Sequence, residues 1–135
     1  LRALRAASTL SAPAPSGITV IDDFGHNPDK CAATLRTLKS QPGRVIAFFQ
    51  PHGYGPLRQM GHELAQTFAR ELGADDVTIL CDPVYFGGTV DRSEGSERIV
   101  GLINAGRRHG GIHPLARGMR RADHREICRP GTGSW

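Results

Sequence analysis

From Gly17 onward, short runs of β-branched residues alternate with stretches of helical period. That alternation is the pattern of βαβ units and a parallel sheet, because each apolar run needs helices to cover it. Three units are legible. Ile18-Thr19-Val20-Ile21 reads as a strand buried on both faces and ends in Asp22-Asp23. Asn27-Pro28-Asp29 then reads as a helix start, with Asn at the N-cap, Pro at the first helical position and an acid in the first turn. Cys31, Leu35 and Leu38 follow on one face. Pro42-Gly43 turns the chain into a second buried strand, Val45 to Phe49. Leu57, Met60, Leu64, Phe68 and Leu72 mark a second helix, which Gly73 is expected to cap. Val77 to Cys81 is the third strand, and Ile99, Leu102 and Ile103 mark a third, shorter helix.

The flanks read differently. Residues 1–16 are an unrecognised flank or linker rich in Ala, Ser and Pro, and residues 106–135 form an Arg/Gly-rich tail without a sustained apolar period. Their charge explains the basicity of the whole: taking +2 for residues 1–17 and +5 for residues 106–135 from the chain's +4 leaves −3 for residues 18–105. The folded middle is mildly acidic, so nucleic acid is not an expected partner, although clustered Arg in the tail can neutralise phosphates. Cys31, Cys81 and Cys128 lack paired spacing, which points away from a disulfide framework or a Cys-based zinc site and toward a cytoplasmic setting. No apolar run reaches the roughly 18 residues of a membrane span, so no membrane partner is expected.

In a parallel sheet the loops after the strands gather on one edge, where such folds place ligands. Here that edge collects Asp22, Asp23, His26 and Asn27, then Gln50, His52, Tyr54 and Arg58, then Asp82, Tyr85 and Asp91. Asp22-Asp23 is either a helix or turn cap with a solvated neighbour, or a carboxylate that accepts ribose hydroxyls or balances a cation beside the flat ring of Phe24. His26 and His52 are either plain loop histidines or donors to an anionic substrate. No metal site is assigned: His26, His52 and Asp23 have no spacing that demands one, and His109 and His113 sit in a Gly-rich stretch unsuited to a helix. Cys81, at the end of an apolar strand, reads as a buried small side chain. No Gly-rich phosphate loop occurs in the sequence.

Asp22-Asp23-Phe24-Gly25-His26-Asn27-Pro28, followed by Phe49-Gln50-Pro51-His52-Gly53-Tyr54, resembles the C-terminal domain of the Mur ligases. The two motifs are similar to Asp-Asp-Tyr-Gly-His-His-Pro and Phe-Gln-Pro-His-Arg-Tyr of the UDP-N-acetylmuramate:L-alanine ligases and the related murein tripeptide ligases. Asp82-Pro83-Val84-Tyr85 with Gly87-Gly88 is a weaker third match, and the resemblance covers residues 17–105. It implies a Rossmann-like, three-layer α/β domain with a mainly parallel sheet, incomplete at its C-terminus. Such ligases use ATP and Mg2+ to form an acyl phosphate on UDP-N-acetylmuramate, which the amine of an amino acid attacks. The N-terminal and central domains would be the partners and would hold the phosphates and the metal.

By the same resemblance Asp23, Phe24 and Asp22 would contact ATP, and His26, Asn27, His52 and Arg58 the incoming amino acid. No catalytic residue is assigned to this chain. Asn27 stands where the family has a second His, and Gly53 where it has an Arg expected to contact substrate. The tail is read as frame-shifted or disordered, since a GC-rich coding of Arg129 to Trp135 reads in another frame as Pro-Gly-Asp-Arg-Val-Val, similar to the family's next strand. Without closing strands, an exposed sheet edge and marginal folding are expected. The reading from a different class is a non-catalytic nucleotide- or partner-binding module derived from this fold.

Overall fold

The computed structural model describes residues 8–10, 17–83, 95–108 and 115–119. Strands β1 (Ser8–Leu10) and β2 (Ile21–Asp23) precede α1 (Pro28–Lys39), β3 (Ile46–Phe49), α2 (Tyr54–Glu71), β4 (Val77–Cys81), α3 (Ser96–Arg108) and β5 (Leu115–Met119). β3, β4 and β5 form a parallel sheet in that order, with Ile46 opposite Val77 and Val77 opposite Leu115. Consecutive strands laid side by side in one direction need right-handed crossovers, which send α2 and α3 to the same face. α1 packs on α2 and joins the same core. That core contains Cys31, Leu35, Leu57, Leu64, Ala65, Phe68, Leu72, Leu80, Ile99 and Ile103, with Phe49 set edge-on to Phe68 at 5.6 Å. Each fully buried Leu or Ile contributes about 2 kcal/mol of hydrophobic stabilisation.

Local sequence accounts for the helices. Asn27 caps α1, its Oδ1 accepting from the Lys30 N–H at 2.9 Å, with Pro28 at the first position and Asp29 in the first turn. α3 begins where the Ser96 hydroxyl donates to the Cys81 carbonyl, which ties the helix to the end of β4. α2 and α3 approach closely: a Cβ on Gly61 would collide with Ile99 Cδ1 and lie 3.0 Å from Arg98 Nη2. Among the described residues, no helix is long and apolar enough to cross a membrane.

Asp76 joins three of these elements. It is 1% exposed, and its Oδ1 accepts from the Val45 N–H at 2.8 Å and Lys39 Nζ at 3.1 Å. Oδ2 accepts from the Gly73 N–H at 2.7 Å and lies 2.8 Å from Lys39 Nζ. Burial opposes its charge, but Lys39 and the two backbone donors outweigh burial and hold the carboxyl below its ordinary value. A second link, Arg36 to Glu71, is bidentate at 2.9 and 2.7 Å and joins α1 to the end of α2.

Four sequence expectations change. The first strand is Ile21–Asp23, not Ile18–Ile21, and it pairs antiparallel with β1, Ser8 opposite Asp23, outside the three-stranded parallel ladder. Ladder bonds are made by the backbone, so the pairing settles on Asp22-Asp23 despite their polarity, while Ile18 and Val20 are 60% and 53% exposed. Gly73 does not cap α2, because the chain leaves through Leu72 in an extended conformation and the Gly73 N–H turns to Asp76. The folded segment does not end at residue 105, since α3 continues to Arg108. The Arg/Gly tail contains β5, whose backbone continues the ladder from β4. Among the described residues the helices cover one face of the sheet, and on the other Ile46 and Phe48 are half-exposed.

Asp76→Ala should destabilise the chain by about 2 kcal/mol at pH 7 in urea denaturation, since it removes the acceptor shared by two backbone N–H groups and the partly exposed Lys39 ammonium. The native carboxyl titrates below its ordinary value near 3.8, so its contribution is complete above that pH and is lost as pH falls through the native value. The difference between wild type and Asp76→Ala should therefore shrink in the same measurement at pH 3. Thr78→Val should leave stability unchanged or raise it by up to about 1 kcal/mol, because the Thr78 hydroxyl is wholly buried and has no hydrogen-bond partner among the described residues.

Candidate functional site

The β2–α1 loop carries the first group of predicted residues, and three bonds clamp it to α1. The Thr34 hydroxyl donates to Asp23 Oδ2 at 2.6 Å, Cys31 Sγ donates to the Gly25 carbonyl at 3.7 Å, and the Lys30 N–H donates to Asn27 Oδ1. Gly25 fits under the Asp23 carboxylate, where a Cβ would stand 2.7 Å from Oδ2. Phe24 projects outward, 78% exposed, with the His26 ring edge-on at 5.6 Å. His26 Nδ1 lies 3.1 Å from the Phe24 carbonyl. A carbonyl only accepts, so Nδ1–H donates to it and Nε2 faces outward from that bond. Asp22 is exposed.

Cys31 is sealed beneath the loop. Burial first, and the neighbouring Asp23 charge second, push its thiol up to about 11, so it is protonated and inert at neutral pH.

The second group follows β3. Pro51 is buried and anchors the turn, while Gln50, His52 and Arg58 are exposed. His52 precedes α2 and Arg58 lies within its second turn. Gly53 is the N-cap of α2, without a side-chain cap and with extended backbone, φ 179° and ψ 168°. A Cβ there would meet only Pro56 Cδ at 3.6 Å, an ordinary contact, so neither space nor backbone requires glycine. Of the third group, Asp82 is half-buried, with Oδ1 3.4 Å from the Ser96 N–H, while Tyr85 and Asp91 lie outside the described residues. His109, His113 and Cys128 lie outside them too.

Asp23, Phe24, His26 and Asn27 are thus gathered on one clamped loop. His52 and Arg58 sit at the carboxyl edge of the parallel sheet, and β2 stands outside that ladder. Asn27 Oδ1 is engaged by the cap, which leaves its amide hydrogens for any ligand. Thr34 was missed in the sequence. Its signal was present, since a Thr three residues after Cys31 and one before Leu35 lies toward the buried stripe of α1, where a hydroxyl needs a partner.

A flat exposed ring beside a fixed carboxylate suits a base and a ribose. Among the described residues no three His, Cys, Asp or Glu side chains are grouped to hold a metal ion.

The sequence pattern of the family described as "Mur ligase, glutamate ligase domain" matches residues 10–129. The chain belongs to the Mur ligase family. The UDP-N-acetylmuramate–L-alanine ligase of Jannaschia sp. (strain CCS1) is 41% identical over 97 residues, covering 69% of this chain and 19% of that protein. The ligase of the same name from Cereibacter sphaeroides (strain ATCC 17025 / ATH 2.4.3) is 36% identical over 118 residues, covering 85% and 24%. That from Desulforamulus reducens is 41% identical over 68 residues, covering 50% and 14%. The chain therefore spans less than a quarter of the length of these relatives. Its α/β architecture with a parallel sheet is that of a Mur ligase C-terminal domain, and the family match reaches into both flanks, beyond the motif-bearing residues 17–105.

Two substitutions separate cap from contact. Asn27→Ala should cost about 1 kcal/mol in urea denaturation by removing the N-cap of α1. Gly53→Arg should fold with stability within about 1 kcal/mol of wild type, given the extended backbone and open space.

Proposed function

We propose that this chain acts as the C-terminal domain of an ATP-dependent amide-forming ligase of peptidoglycan biosynthesis. In this reading the acid is UDP-N-acetylmuramate, the amine is that of an amino acid, L-alanine by the names of the relatives, and the reaction runs through an acyl phosphate in the cytoplasm. The observation that carries the proposal is the clamped loop with a fixed Asp23 carboxylate and an outward Phe24 ring, in a chain of this family.

Asp23, with Asp22 nearby, would accept the ribose hydroxyls of ATP, and Phe24 would lie against the adenine. His26, Asn27, His52 and Arg58 would face the incoming amino acid. Their chemistry divides the work: the Arg58 guanidinium suits its carboxylate, and Asn27 and the two histidines can hydrogen-bond its other polar groups. ATP phosphates and Mg2+ would be held by the N-terminal and central domains, the partners this reading requires. The domain limits proposed are a flank at 1–16, the domain proper at 17–105 and a tail at 106–135, with β1 in the first and the end of α3 and β5 in the last joining the fold.

Gly53 favours a second reading. Where the two motifs lead one to expect an Arg, this chain has no side chain at all, as a non-catalytic nucleotide- or partner-binding module would tolerate.

ATP turnover by the purified chain, with UDP-N-acetylmuramate, Mg2+ and L-alanine, separates the two. The ligase reading expects no turnover by the chain alone and phosphate release after the N-terminal and central domains of a relative are added. No turnover in either case, from a chain that is folded by circular dichroism, would favour the binding module.

A further inference from the structure

Building on the nucleotide reading of the β2–α1 loop, we propose that Thr34 is a positioning residue whose hydroxyl holds the Asp23 carboxylate in the orientation that accepts the ribose hydroxyls. Gly25 is the space that orientation requires.

Two threonines on α1 show the difference. Thr37 donates to the carbonyl of Ala33 at 2.9 Å, the usual bond of a helical Thr to the preceding turn. Thr34 instead crosses to β2 and donates to Asp23 Oδ2 at 2.6 Å, within the short range of a hydroxyl bound to a carboxylate. Its β-branched side chain has few rotamers, and its neighbours Cys31 and Leu35 fix that part of α1 in the core. The donor is therefore part of the rigid scaffold, and the carboxylate it holds stands at the end of β2, where the loop begins. Fixing an acceptor before the ligand arrives reduces the ordering cost of binding. Gly25 completes the fit, since a Cβ 2.7 Å from Oδ2 would drive the carboxylate off this position.

The test compares dissociation constants of ATP and 2′,3′-dideoxy-ATP for the whole chain by NMR titration. Wild type should prefer ATP by about tenfold, as expected for hydroxyls bound to a charged acceptor. Asp23→Ala should abolish that preference, Thr34→Val and Gly25→Ala should reduce it to about twofold, and Thr34→Ser should retain it. A merely structural Thr34 would alter the thermal midpoint without changing the ratio. If Asp23→Ala loses the preference while both Thr34→Val and Gly25→Ala keep it, positioning is overturned and the nucleotide reading stands. If wild type shows no preference, or Asp23→Ala keeps it, the nucleotide reading fails and takes the role of Thr34 with it. Should Thr34→Val not fold, Gly25→Ala, which leaves the hydroxyl in place, decides by the same ratio.

Discussion

A buried carboxylate has to be surrounded by donors, and at Asp76 those donors come from three different parts of the chain. Lys39 ends α1, Val45 leads into β3, and Gly73 follows α2. The Val77 N–H bonds to the Val45 carbonyl at 3.0 Å immediately beside it, so parallel pairing of β3 with β4 starts at this point. The amino edge of the sheet is thereby tied down by polar bonds, while the apolar stripes of the helices hold the middle. With that edge fixed, the opposite edge can carry chemistry on loops whose starting points are set by the strands.

The regular elements were legible because each follows a local rule. Asn27-Pro28-Asp29 announces a helix start by capping, and Leu57, Leu64, Phe68 and Leu72 are buried as their spacing predicts. Asp76 was not legible, because one acid in a turn between a helix and a strand looks the same whether it is solvated or buried. β5 was hidden for the opposite reason. Leu115-Ala116-Arg117-Gly118-Met119 has no apolar alternation, and its place is given by the backbone of β4 beside it. The shift of the first strand onto Ile21–Asp23 has the same origin, since its partner lies in a flank whose sequence carries no strand signal.

The candidate site was legible at the level of motifs and not of contacts. Asp23, Phe24, His26 and His52 stood out because polar and aromatic residues at strand ends lack a packing reason. What their side chains do in the fold depends on residues distant in sequence. Thr34 is eleven positions after Asp23 and reads as part of a helix stripe. Asn27 belongs to both readings at once, with its oxygen committed to the helix and its amide hydrogens to whatever approaches the loop.

The glycine at position 61 has a mechanical meaning. With no side chain between them, α2 and α3 come within direct contact of backbone and Ile99, so one helix cannot slide without displacing the other. α3 is in turn bonded to the end of β4 through Ser96 and Cys81. His52 and Arg58 at the start of α2, and Asp82 at the end of β4, therefore share one stiff frame. Any displacement of this edge carries all three together, as fixed teeth on one jaw.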